Sequence, residues 1–203
     1  MIPQQICKAL IEVVKSGDID KFLAERAQYN IAVRDVTDSG QFGQNLIFSA
    51  VFIPDEEQSL KMLQVLETMN VDMFQKDNLK QTPLYYAARE GKAKIIKYLL
   101  DKGLDVNNID TYGQNAIFYA VSLGQIESVK LLVNHGSKHD HVDDNGQTPL
   151  YYAIKGERTE VLKYLLELGC NVNITDVRGQ TLINFANRHN KPQFINMLVQ
   201  AGA

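Results

Sequence analysis

The chain has 203 residues, with 21 Lys and Arg against 24 Asp and Glu and a formal charge of −3. That balance gives no electrostatic reason to expect nucleic acid or an anionic membrane as a partner. Cys7 and Cys170 make no disulfide framework, no apolar run approaches a membrane span, and the N-terminus lacks the regions of a signal peptide, so an intracellular location, cytoplasmic or nuclear, is expected.

The spacing of Ile6, Leu10, Val13 and Val14 predicts a first helix over Ile2 to Val14, closed by Gly17. Asp18 to Leu23 reads as the start of a second, short helix. Arg34 to Gly40 is polar and turn-rich. Gln44-Asn-Leu-Ile-Phe-Ser-Ala50 then opens a pattern that recurs to the end of the chain. Its later copies begin at Gln81, Gln114, Gln147 and Gln180, each 33 residues from the last, whereas Gln44 lies 37 before Gln81. The four extra residues are expected in the loop Val51 to Gln58, where Phe52 and Ile53 are either a contact or buried against the first helices.

In the fullest copies, Gln81-Thr-Pro-Leu-Tyr-Tyr-Ala87 and Gln147-Thr-Pro-Leu-Tyr-Tyr-Ala153, proline falls at the first helical position, where a missing N–H costs nothing. Thr82 and Thr148 are placed to cap the first turn. Asp77, Asp110, Asp143 and Asp176 open the turns before each copy, where aspartate bonds nearby backbone N–H groups. Lys80 stands where the other turns have Gly113, Gly146 and Gly179, and Gly156 comes one residue before the place of Gly91 and Gly124. Each second helix, such as Lys94 to Leu100, is apolar on one side and charged on the other.

The period and the Thr-Pro-Leu-x-x-Ala core are similar to the ankyrin repeat. The resemblance implies an all-α solenoid of stacked helix-turn-helix units with β-turn or hairpin fingers. It forms one domain over residues 1–203: a degenerate cap pair at 2–30, a unit with the insertion at 40–76, regular units at 77–109, 110–142 and 143–175, and a last unit at 176–203. Gly202-Ala203 resembles the opening of a further loop, as in a fragment of a longer protein.

No nucleophile with a base, no carboxylate pair and no phosphate loop stands out, so no catalytic residue and no cofactor is expected. His135, His139 and His141, with Asp140, Asp143 and Asp144 nearby, read as an exposed helix end and turn rather than a metal site. Lys92, Lys94, Lys97 and Lys102 read as a solvated helix face.

The resemblance implies protein–protein recognition on a concave face, without small-molecule substrate or membrane insertion. By motif the contact residues would be Asn78, Leu79, Tyr112, Asn145 and Arg178 in the turns and Arg89, Glu90, Leu123 and Lys155 at the first-helix ends. Tyr86, Tyr119 and Tyr152 form an aromatic column, and Gln81, Gln114 and Gln147 a column read as an amide ladder. Packing and recognition both remain open for the tyrosines. The leading expectation is a non-catalytic module binding a peptide or folded protein. The alternative is the substrate-targeting part of a larger enzyme, such as a protein methyltransferase or acyltransferase, reading a modified lysine through the aromatic column. A third is a structural spacer.

Overall fold

The computed structural model describes residues 3–29, 31–37 and 42–203; Ile2 and the Asp38-Ser39-Gly40 part of the predicted turn lie outside them. Its contacts divide the chain after Leu104 into two compact units. In the first, α1 (Gln4–Ser16) pairs with α2 (Ile19–Tyr29), α3 (Leu46–Val51) with α4 (Glu56–Thr68), and α5 (Pro83–Glu90) with α6 (Ala93–Asp101). In the second, α7 (Ala116–Leu123) pairs with α8 (Ile126–Asn134), α9 (Pro149–Lys155) with α10 (Thr159–Glu167), and α11 (Leu182–Arg188) with α12 (Pro192–Gln200). Within each unit first helices stack on first helices, with α1 on α3, α3 on α5, α7 on α9 and α9 on α11, while α4 lies on α6 and α8 on α10. This is the stacking of an all-α repeat solenoid. The described residues contain no strand, only the isolated bridges Thr37 to Asn45 and Thr175 to Thr181. No helix among them is long and apolar enough to cross a membrane.

The first helices carry the core. Leu84, Ala87 and Ala88 are fully buried in α5, as are Ile117, Ala120 and Val121 in α7 and Leu150, Ala153 and Ile154 in α9. Second helices bury one stripe each, Ile95, Ile96 and Leu99 in α6 and Val161, Leu162 and Leu165 in α10. Gly17, Gly91 and Gly124 close α1, α5 and α7 in the left-handed conformation.

Pro83 and Pro149 open their helices as expected, but Thr82 and Thr148 do not cap them. The N–H that a threonine hydroxyl would accept, that of Tyr85 or Tyr151, is taken by the threonine's own carbonyl at 3.1 and 3.0 Å. Both hydroxyls are left buried without a partner. Caps do form at Asn45, which accepts from Ile47 N at 3.0 Å, and at Thr181, which accepts from Asn184 N at 3.2 Å.

The four extra residues are not in the loop after α3. The 13-residue α4 begins at the same distance from Gln44 as the 9-residue α6 does from Gln81, so the added length is a last turn of α4. Glu67 in that turn accepts from the Tyr98 hydroxyl at 2.5 Å and pairs with Lys102, and these bonds hold its carboxyl below the usual range. Ile53 is fully buried and Phe52 half-buried, its ring edge-on to Tyr86 at 5.5 Å. Lysines of α6 are paired too, Lys94 with Glu57 and Lys97 with Asp101 at 3.7 Å. Lys92, just before α6, is half-buried and donates to the Val51 carbonyl at 2.6 Å and to that of Ile53, which caps the end of α3.

Four described positions take a left-handed backbone without glycine, Asn70, Lys80, Glu157 and Asn190, and two of them stand where the repeat favours glycine. Lys80 has φ 61°, close to the 72°, 69° and 71° of Gly113, Gly146 and Gly179. Glu157 has φ 59° because glycine is used one place earlier, at Gly156, where a Cβ would lie 2.7 Å from the Ser122 carbonyl. A close approach fixes that glycine, and the bend passes to its neighbour. Lys80→Gly should therefore raise stability in urea unfolding by about 1 kcal/mol. Gly113→Ala, whose Cβ would meet the Asp144 backbone N at 3.0 Å, should lower it by about 1–3 kcal/mol.

Candidate functional site

The turns before α5, α7, α9 and α11 are each built on a buried aspartate. Asp143 Oδ1 accepts from Asn145 N at 2.9 Å and Gln147 N at 3.0 Å, and its own N–H donates to the Gln147 carbonyl at 3.0 Å. Asp77, Asp110 and Asp176 hold their turns by the same three bonds. Oδ2 reaches the first helix. The Tyr86, Tyr119 and Tyr152 hydroxyls donate to Asp77, Asp110 and Asp143, each at 2.6 Å. The glutamine of the preceding repeat completes the arrangement: Gln114 Nε2 donates to Asp143 Oδ2 at 2.9 Å and to the Tyr152 hydroxyl at 2.6 Å, and Gln44 does the same to Asp77 and Tyr86 at 3.3 and 2.7 Å. Gln147 donates to Asp176 at 3.4 Å, where Phe185 replaces the tyrosine.

Gln44 and Gln114 thus bond to the next aspartate and tyrosine, in place of the expected ladder of amide to amide. Burial, then the hydrogen bond to the paired aspartate, pushes the Tyr86 and Tyr152 hydroxyls above their ordinary pKa. Tyr86 is 7% exposed, edge-packed on Phe48 at 5.5 Å, with the Arg89 guanidinium 5.0 Å from its ring centroid and 5.7 Å from that of Phe52. At Tyr86 the aromatic column therefore receives a cation from within the chain. Phe118 packs edge-on to Tyr152 at 5.4 Å in the second unit.

The contact residues read from the motif divide by burial. Gln81 and Tyr86 are buried, and Leu79, Arg89, Gln114, Tyr119, Gln147 and Tyr152 are half-buried. Asn78, Glu90, Tyr112, Leu123, Asn145, Lys155 and Arg178 are exposed, with Glu90 beside Arg89 at 3.3 Å. In the second unit backbone bonds join successive turns, Asp144 N to Tyr112 O at 3.1 Å and Val177 N to Asn145 O at 2.9 Å. They set Tyr112, Asn145 and Arg178 side by side at one position of three turns. Tyr112 is 51% exposed, Leu123 46% and Val177 69%. The bonds from tyrosine and glutamine to the aspartate escaped the sequence reading, although the Asp-x8-Tyr spacing at 77, 110 and 143, broken by Phe185, signals the first.

Stacked helix pairs joined by aspartate-held turns define a helical repeat protein. The family model for ankyrin repeats in three copies matches residues 48–143 and 128–203. The chain belongs to the ankyrin-repeat family. Ankyrin repeats are in general protein–protein interaction modules and typically non-catalytic. A search of curated proteins returns no match.

Asp143→Ala strands four donors and should cost about 3 kcal/mol or more in urea unfolding, against about 1 kcal/mol for Tyr152→Phe. Tyr151, whose hydroxyl donates to the Gln180 carbonyl at 2.6 Å, has its pKa pushed up to about 12 by burial and then by the charge of Asp176. Its contribution is complete below the ordinary tyrosine pKa near 10 and is lost as pH rises toward 12. Stability measured across that window should fall less steeply in Tyr151→Phe.

Proposed function

We propose that this chain is a non-catalytic recognition module that binds a peptide or folded protein through the exposed turn residues of its second unit. The observation that supports this reading most is the row Tyr112, Asn145 and Arg178, with Val177 beside it. These side chains are exposed, although the turns beneath them are fixed by buried aspartates and by backbone bonds from turn to turn. An aromatic ring and a guanidinium held on a rigid base supply contact area and directed hydrogen bonds at little entropic cost. Folding places no demand on Tyr112 and Val177 to be apolar, which makes them the preferred anchors. Leu123 and Lys155, at the ends of α7 and α9, extend the same proposal to the first helices. Buried Gln81 and Tyr86 and half-buried Gln114 and Tyr152 enter as supports that fix the turns.

The test is affinity capture with the intact chain and with Tyr112→Ala/Arg178→Ala, followed by titration of the captured protein in purified form. Thermal stability should agree within a few degrees, since both positions are exposed. Binding should weaken by at least about thirtyfold, the scale of a central anchor. Equal binding by the variant, at equal stability, would overturn this surface.

A further inference from the structure

Asn107, Asp140 and Asn173 hold the same place in three loops of the second unit, 33 residues apart. Asn107 Oδ1 accepts from Lys138 N at 2.8 Å while its Nδ2 donates to Gly136 O at 3.0 Å, and Asn173 Nδ2 donates to Gly202 O at 3.1 Å. Asp140 keeps only the accepting half, from Asn171 N at 3.2 Å, because a carboxylate has nothing to donate. Its neighbour His139 stands where the adjacent loops have Val106 and Val172, and Cys170 stands where they have Leu104 and Ser137. The three side chains converge in space. A ring nitrogen of His139, a carboxylate oxygen of Asp140 and the sulfur of Cys170 lie within 4.8 Å of one another.

The cluster is graded from inside to outside. Cys170 is 5% exposed, His139 half-buried and Asp140 exposed, and His139 and Asp140 line an open cavity of about 550 Å³. The other two histidines of the stretch are engaged elsewhere, His135 Nδ1 with the Leu131 carbonyl and His141 Nε2 with that of Gly113, both at 2.8 Å.

We propose that His139, Asp140 and Cys170 form a binding site for a divalent cation of the zinc class, with water in the fourth position. One nitrogen, one sulfur and one oxygen donor suit zinc and exclude calcium and magnesium, which take oxygen ligands. Bonds of about 2.0–2.3 Å in a tetrahedron set donors roughly 3.5 Å apart, so side-chain adjustments of about 1 Å close the set. On binding, the cation would take the place of the thiol proton, which leaves to solvent. The expectation of no metal rested on histidine spacing along the chain and did not include Cys170.

The experiment uses the untagged chain in a Cys7→Ala background, so that Cys170 is the remaining thiol. Cobalt(II) is added as the spectroscopic probe and zinc as its competitor. The expected result is a thiolate-to-cobalt charge-transfer band that zinc abolishes and that Cys170→Ser lacks. His139→Val and Asp140→Asn restore the residues of the adjacent loops, so they should fold, and each should weaken zinc binding at least about tenfold. No charge-transfer band, or zinc affinity unchanged in His139→Val and Asp140→Asn, would overturn the site.

Discussion

The buried carboxylate at the head of the turns at Asp77, Asp110, Asp143 and Asp176 is the interaction on which the rest of the structure depends. A charge removed from water is tolerable only when its lone pairs are matched by donors. Asp77 and Asp143 each have four: two backbone N–H groups of their own turn, one tyrosine hydroxyl from the following helix, and one amide from the repeat before. One oxygen fixes the turn and the other fixes where the turn sits on the helices. A single residue therefore couples local conformation to the stacking of neighbours. Repeat arrays owe their stability to such nearest-neighbour terms, since no repeat buries its apolar face alone.

The same coupling explains how irregular repeats are absorbed. The first unit accommodates four extra residues as a helical turn because a longer α4 still presents Leu63 and Leu66 to the core, while Glu67 finds Tyr98 and Lys102 on α6. A loop insertion beside Phe52 would have pulled apart Ile53 and the Lys92 cap of α3. Arg158 has the corresponding task in the second unit, its Nε 2.9 Å from the Ser122 carbonyl at the end of α7. The space it needs is kept clear by Gly124, where a Cβ would lie 2.8 Å from Arg158 Cδ. Left-handed bends are then taken by whichever residue is left, including Glu157 and Lys80.

Periodicity made most of the fold legible. Helix pairs, proline starts, glycine ends and the aspartate turns are properties of residues close in sequence, and a 33-residue repeat shows them several times over. What it did not show depends on atoms that meet across repeats. Gln114 bonds to Tyr152 across 38 residues and Cys170 lies against Asp140 across 30, and neither distance is a local signal. The threonine hydroxyls misled for a different reason: a capping residue type was present, but the backbone carbonyl of the same residue reached the N–H first. The contact surface was legible as a set of positions. Its division into exposed and supporting members required the burial of each side chain.

A repeat protein offers an internal control for reading function, because each position has counterparts that do only the work of folding. At the exposed turn position, Tyr112, Asn145 and Arg178 differ while the aspartate bond beneath each stays the same. Asp140 is different. Its counterparts Asn107 and Asn173 each donate an amide to a loop carbonyl, and the carboxylate forgoes that bond and brings a charge beside a buried thiol. His139 likewise replaces a valine that in the next loop, at Val172, is buried. Substitutions that give up packing or hydrogen bonding made by the neighbouring copies are unfavourable for folding taken alone. Where two of them meet a buried thiol within the reach of one ion, chemistry accounts for the set more simply than drift does.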